Sequence, residues 1–233
     1  MLVVQRLIGY LTLVLIALVL VAMVRRRYHR LCYSLPIYLG AVLLGDLLIL
    51  LWPARFNTWT FWAVKEALYA VLKLAVAIEL SSLIFQAFPG ARASARLIVG
   101  LGLLVALAMV FLPIPDAASE TIAQQILPRL ANATAVLFAA VWALALFYNT
   151  PRHPWHAAIL RAFVPYLLVF QVALRLTAYL GVQGGVWASL AATGAYLAML
   201  AYWFVSLLRP EPPPAADPEV VRRLQPWRAR LMR

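Results

Sequence analysis

Apolar residues run almost unbroken through this chain. Short polar knots interrupt them, with neither the alternation of a half-buried strand nor the narrow stripe of a surface helix. A bilayer core takes about 20 apolar residues of helix to cross, and a window of about 19 residues finds stretches of that kind. There are seven, at 3–24, 31–52, 59–88, 96–114, 122–149, 157–181 and 186–208. The third and fifth exceed what a bilayer needs, so they are expected to tilt or project. The first is too long for a signal peptide's apolar region, has its charges on the wrong side and lacks a small-residue cleavage site. It reads as a retained helix.

The polar knots orient the spans. Fourteen arginines fall on one side: Arg25, Arg26, Arg27 and Arg30 after the first span, Arg92 and Arg96 after the third, Arg152 and Arg161 after the fifth, and Arg209, Arg222, Arg223, Arg228, Arg230 and Arg233 after the seventh. Only Arg6, Arg55 and Arg129 fall on the other, beside Asp116 and Glu120. The positive-inside rule then predicts an outer N-terminus and an inner C-terminus, which requires an odd number of spans. Trp52, Trp59, Trp62 and Trp187 fall at the expected outer interface, and Trp155 and Trp203 toward the inner one.

Composition agrees. Hydrophobic residues make up 65% of the 233 and charged residues 12%, far from the half and quarter of a soluble domain. The expected fold is all-α, a polytopic bundle of seven transmembrane helices over 1–209, with a cytoplasmic tail over 210–233. The net charge of +12 does not imply a nucleic-acid partner, because the basic residues sit in short loops and the tail rather than on a basic face interleaved with aromatics.

Charge inside the spans changes the picture most. The third span carries Lys65, Glu66, Lys73 and Glu79, more than any other. Each costs roughly 2.5–3.5 kcal/mol on insertion scales, so such groups face a protein interior and take partners. With Asp46 and Arg175 they balance to zero, and the whole net charge resides in loops and tail. At 1.5 Å per residue, Asp46, Arg175, Lys65 and Glu66 each lie about 9–10 Å below the outer ends of their helices. Four charges from three spans are thus expected in one layer of the outer half. Glu66 and Lys73 share a face of the third helix, with Tyr69 between them, while Glu79 points to a separate inner contact. Gln171 and Tyr179 flank Arg175 one turn away on either side. Two readings stay open for this cluster. One is a set of structural pairs, Asp46–Arg175 and Glu66 with Lys65 or Lys73. The other is an outward-facing site for a small zwitterionic or polar ligand, or a proton or ion path.

Two weaker patterns follow. SLPIYLGAVLLGDLLILL and FVPYLLVFQVALRLTAYL align without gaps, placing Pro36 with Pro165 and Asp46 with Arg175, as parallel repeats of spans 1–3 and 5–7 would. Gly100 and Gly102 in the fourth span, and Ala191, Gly194, Ala195 and Ala198 in the seventh, suit close helix packing. After Pro210, EPPPAADP is a stiff spacer. Beyond it, Arg222, Arg223, Trp227, Arg228 and Arg230 fall in a short basic amphipathic segment, expected to lie on anionic lipid headgroups or to dock on a cytoplasmic partner.

Recognisable catalytic chemistry is missing. The sequence has no metalloprotease, nucleophile-elbow or phosphate-loop motif, and His29, His153 and His156 have no third metal ligand near them. Cys32 is the sole cysteine, so no intramolecular disulfide forms. No cofactor is expected, and a non-enzymatic role is favoured. The run FWAVKEALYAVLKLAVAIEL, followed by Phe88–Pro89–Gly90, resembles uncharacterised seven-helix proteins of the bacterial inner membrane. That resemblance implies a bacterial inner-membrane, multi-pass location and transfers no activity or site. The functional expectation is a sensor or receptor-like bundle. A small-solute or ion transporter with a 3+1+3 helix arrangement, and a structural subunit or homo-oligomer within a membrane complex, are the alternatives.

Overall fold

Arginines and prolines set the ends of the helices. The first helix, α1 (Leu2–Arg25), stops where Arg27 takes a left-handed backbone with φ 59°, a conformation that ends helices at C-termini. A single 3-10 turn (Tyr28–Arg30) leads to α2 (Ser34–Leu51), which closes just before Pro53. The residue before a proline disfavours helical backbone, so the break falls there. Pro53 opens the one-turn α3 (Pro53–Phe56), and Thr58 caps α4 (Trp59–Ile84) by accepting the Phe61 N–H at 3.3 Å. Then come α5 (Ile122–Phe147) and α6 (Pro154–Leu208), whose first turn has Pro154 inside it and the His153 side chain accepting the Trp155 N–H.

This computed structural model describes residues 2–86, 122–148 and 153–210, with isolated helical positions at 93, 97, 100 and 104. Apart from those positions, the expected fourth span lies outside the described residues, as does the tail beyond Pro210. So do Arg222, Arg223, Trp227, Arg228 and Arg230.

Helical backbone runs through all 55 residues of α6, yet α6 is not one rod. A straight helix would hold Ala158 and Trp203 about 68 Å apart at 1.5 Å per residue. Instead the Trp203 indole N–H donates to the Ala158 carbonyl at 3.3 Å, and the Phe163 and Trp203 rings stack 5.5 Å apart. The chain therefore turns back on itself between two apolar arms, Pro154–Thr177 and Gly185–Leu208. With Leu7–Arg25, Ser34–Leu51, Trp59–Ile84 and Pro128–Phe147, the described residues contain six helical stretches long and apolar enough to cross a membrane.

Packing closes a ring. In sequence order α1 packs on α2, α2 on α4, α4 on α5 and α5 on α6, and α6 returns to α1. Phe163 on the first arm sits at the centre, with its ring against those of Tyr38, Phe138, Tyr166 and Trp203. Trp155 and Trp203, expected at an interface, are core residues. Trp52, Trp59, Trp62 and Trp187 are exposed. The outward surface of the helices is itself apolar, with Leu11, Val14, Leu18, Leu44, Val64 and Leu68 among its exposed side chains. In water such a surface would be a liability, whereas in a bilayer it is the matching one.

Candidate functional site

Two of the charged residues of the third span, Lys65 and Glu79, meet partners from α2 and its N-terminus, and the close approach of the two helices begins at Gly45. A Cβ built there would overlap the Tyr69 hydroxyl and approach Lys65 Cδ to 3.1 Å. Only a residue without a side chain lets α4 come this near. The Tyr69 hydroxyl shares its proton between the carbonyls of Ala41 and Val42, at 3.3 and 3.2 Å. Neither Gly45 nor this hydrogen bond was anticipated from the sequence. A glycine next to the one acid of an otherwise apolar span was the available signal.

Lys65 Nζ then reaches Asp46 Oδ1 at 3.1 Å and lies 3.9 Å from Glu66 Oε1. The expected Asp46–Arg175 pair does not form. Arg175 is exposed, and the partner of Asp46 is Lys65. Rotation explains the difference. Phe170, five residues earlier, faces Lys73. Five residues advance the helix by about 7.5 Å but turn it by about 140°, so Arg175 reaches the level of the layer on the wrong face. Tyr179 is 86% exposed and also points away. Gln171 buries its Nε2 with no hydrogen-bond partner among the described residues. Of the predicted cluster, Asp46, Lys65, Glu66, Tyr69 and Lys73 come together, and Arg175 and Tyr179 stay outside.

Lys73 is the most isolated member. It is 6% exposed, has no carboxylate within 4.0 Å among the described residues, and has its Nζ 5.8 Å from the centre of the Phe170 ring. A ring face offers a buried ammonium partial compensation only.

Between α1, α2 and the two arms of α6 lies an open cavity of about 710 Å³. Asp46, Tyr10, Tyr166, Phe170, Thr193 and Tyr196 contribute to its wall. Its size suits a small organic ligand. Asp46 presents a carboxylate whose Oδ2 makes no hydrogen bond to the described residues. Tyr196, across the wall, has its hydroxyl buried. Phe170 separates the cavity from Lys73. Aromatic faces with one anchored carboxylate can hold a cationic group.

Glu79 belongs to a different place. From α4 it accepts the backbone N–H groups of Tyr33 and Ser34 at 2.8 and 2.7 Å, together with the Ser34 hydroxyl. The first N–H groups of a helix have no partner within it, and a carboxylate there also meets the positive end of the helix dipole. Glu79 thus caps α2 from a neighbouring helix. Cys32 donates to the same carboxylate at 3.4 Å. Its burial, and then the nearby negative charge of Glu79, push its thiol from the ordinary 9.0 up to about 12. His156 completes this end by donating from Nε2 to the Leu31 carbonyl at 3.0 Å. Among the described residues no three His, Cys, Asp or Glu side chains gather as metal ligands.

Comparison with protein families, with curated proteins and with solved structures yields no match to this chain.

Proposed function

We propose that the chain is a seven-span bundle of a bacterial inner membrane, with its N-terminus outside and C-terminus inside, that works as a non-enzymatic sensor of a small zwitterionic solute. One observation carries the reading: the cavity has Asp46 in its wall and the buried Lys73 just behind Phe170. The cationic end of a zwitterion would meet Asp46 Oδ2 among the tyrosine faces. Its anionic end would reach Lys73 if Phe170 moved aside. Burying an unpaired ammonium is costly, so a ligand that supplies its counter-charge gains affinity from the same source. The arginine asymmetry supports the orientation, and in that orientation the cavity would lie in the outer half. Output would pass through a separate partner that contacts the basic inner end.

The test uses full-length protein in nanodiscs with labelled glycine betaine and labelled proline as probes. Saturable binding of at least one is expected, weakened tenfold or more by Asp46→Asn and by Lys73→Met. The reading fails if neither probe binds. A transporter remains the second reading because Lys73 lies buried near mid-span, where a coupling charge would sit. Uptake of either probe into proteoliposomes would favour it over the sensor.

A further inference from the structure

At the end of the bundle opposite that cavity, a second cavity of about 410 Å³ opens between the beginning of the first α6 arm and the end of the second. Its wall includes Tyr28, Trp155, Arg161, Tyr202, Ser206 and Arg209. Three independent features give it one sign of charge.

First, it lies against the N-terminus of α6, at Pro154 and Trp155, the positive end of the helix dipole, where Pro154 carries no N–H and the Trp155 N–H is already accepted by His153. The negative C-terminal end of the second arm is also close, but it is already covered. The Arg26 guanidinium donates to the carbonyls of Arg209 and Leu208, at 2.6 and 3.0 Å. Second, Arg161 and Arg209 are exposed and make no ion pair among the described residues. Third, Trp155 lines this wall and is 2% exposed, and its buried indole N–H has no hydrogen-bond partner among the described residues. A buried donor without an acceptor is rare in a folded protein and marks a place where something else can accept.

We propose that this cavity binds a phosphate-bearing anion, held by Arg161 and Arg209, with the Trp155 indole N–H as a further donor and the positive end of the α6 dipole beside it. A planar guanidinium matches phosphate oxygens in pairs, and helix N-termini favour the same charge. Tyr202, at the exposed edge of the wall, presents an amphipathic ring of the kind found at membrane interfaces, while Tyr28 is buried behind it. The anion is either the phosphodiester of an acidic lipid or free phosphate. The inference is independent of what occupies the first cavity.

The experiment follows thermal unfolding of the full-length chain in a non-ionic detergent. One arm adds phosphatidylglycerol against phosphatidylcholine, and the other adds inorganic phosphate against chloride at equal ionic strength. A rise in Tm with phosphatidylglycerol alone assigns the site to lipid, and a rise with phosphate assigns it to the free anion. In either case the apparent affinity should fall tenfold or more in Arg161→Gln/Arg209→Gln. Both side chains are exposed and unpaired, so this variant should unfold like the wild type without ligand. Trp155→Phe should weaken the response by a smaller factor, and Arg25→Gln/Arg27→Gln, on the same end but outside the cavity wall, should leave it. The proposal is overturned if neither anion shifts Tm, or if both arginine pairs reduce the response equally, which would make the effect one of general surface charge.

Discussion

Gly45 has no room for a methyl group because the Tyr69 hydroxyl occupies it. Gly45→Ala should therefore separate α2 from α4, weaken the Tyr69 hydrogen bonds and cost about 1–3 kcal/mol, as overpacking does; denaturant titration in mixed micelles would measure it. Gly40→Ala, where nothing lies within 4 Å, serves as the matched control. Glu79→Ala removes the acceptor of two backbone donors and a hydroxyl, and a loss of about 2–3 kcal/mol is expected from charged hydrogen bonds of this type. Glu79→Gln keeps one acceptor oxygen and should lose less. Cys32 reports on the same corner. Its raised thiol stays protonated in folded and unfolded chains alike below pH 9, so its stabilising effect is complete there and is lost as pH climbs from about 9 through about 12. A maleimide at pH 8 should leave Cys32 unlabelled in the folded protein and modify it on unfolding. Rapid labelling without unfolding would contradict its burial.

At the scale of the helices, the ion pairs decide which elements are fastened. Asp46 and Lys65 tie α2 to α4, with Glu66 beside them on α4. A double-mutant cycle of Asp46→Asn and Lys65→Gln should give a coupling of about 1 kcal/mol, as expected for a pair only partly shielded from solvent. A cycle of Asp46→Asn with Arg175→Gln should give none. The contrast shows what could be read from the residues alone. Depth along a helix follows from counting at a fixed rise, and that places Asp46, Lys65 and Glu66 together. Rotation about the axis depends on which face a neighbour covers, and the nearly uniform apolarity of these spans leaves that face unmarked. Arg175 is therefore at the right level and on the wrong side, and Tyr179, one turn beyond it, is exposed with it. Trp155 and Trp203 were hidden for a related reason. A tryptophan near a span end looks the same in sequence whether it meets headgroups or, as here, packs in the core, Trp155 on Tyr28 and Trp203 on Phe163. The aligned positions of the two proline-bearing segments likewise lie in different surroundings, Asp46 paired and Arg175 exposed.

For the molecule as a whole, one cavity has a carboxylate in its wall and a buried ammonium near it, and another, at the opposite end of the ring of helices, has two arginines without an ion pair among the described residues. Their separation fits a device that receives a ligand on one side and meets a surface or partner on the other. Orientation can be checked in intact cells with an impermeant maleimide. Asn57→Cys, in the loop between α3 and α4, should label directly, and Arg30→Cys only after permeabilisation, with the buried Cys32 silent in both. The reverse pattern would invert the proposed topology. The most direct test of the account is the thermal unfolding of wild type and Asp46→Asn in nanodiscs across a panel of zwitterionic solutes. A concentration-dependent rise in Tm for at least one solute, absent in Asp46→Asn, is predicted. No rise with any solute, or a rise undiminished by Asp46→Asn, would contradict a ligand site built on that carboxylate.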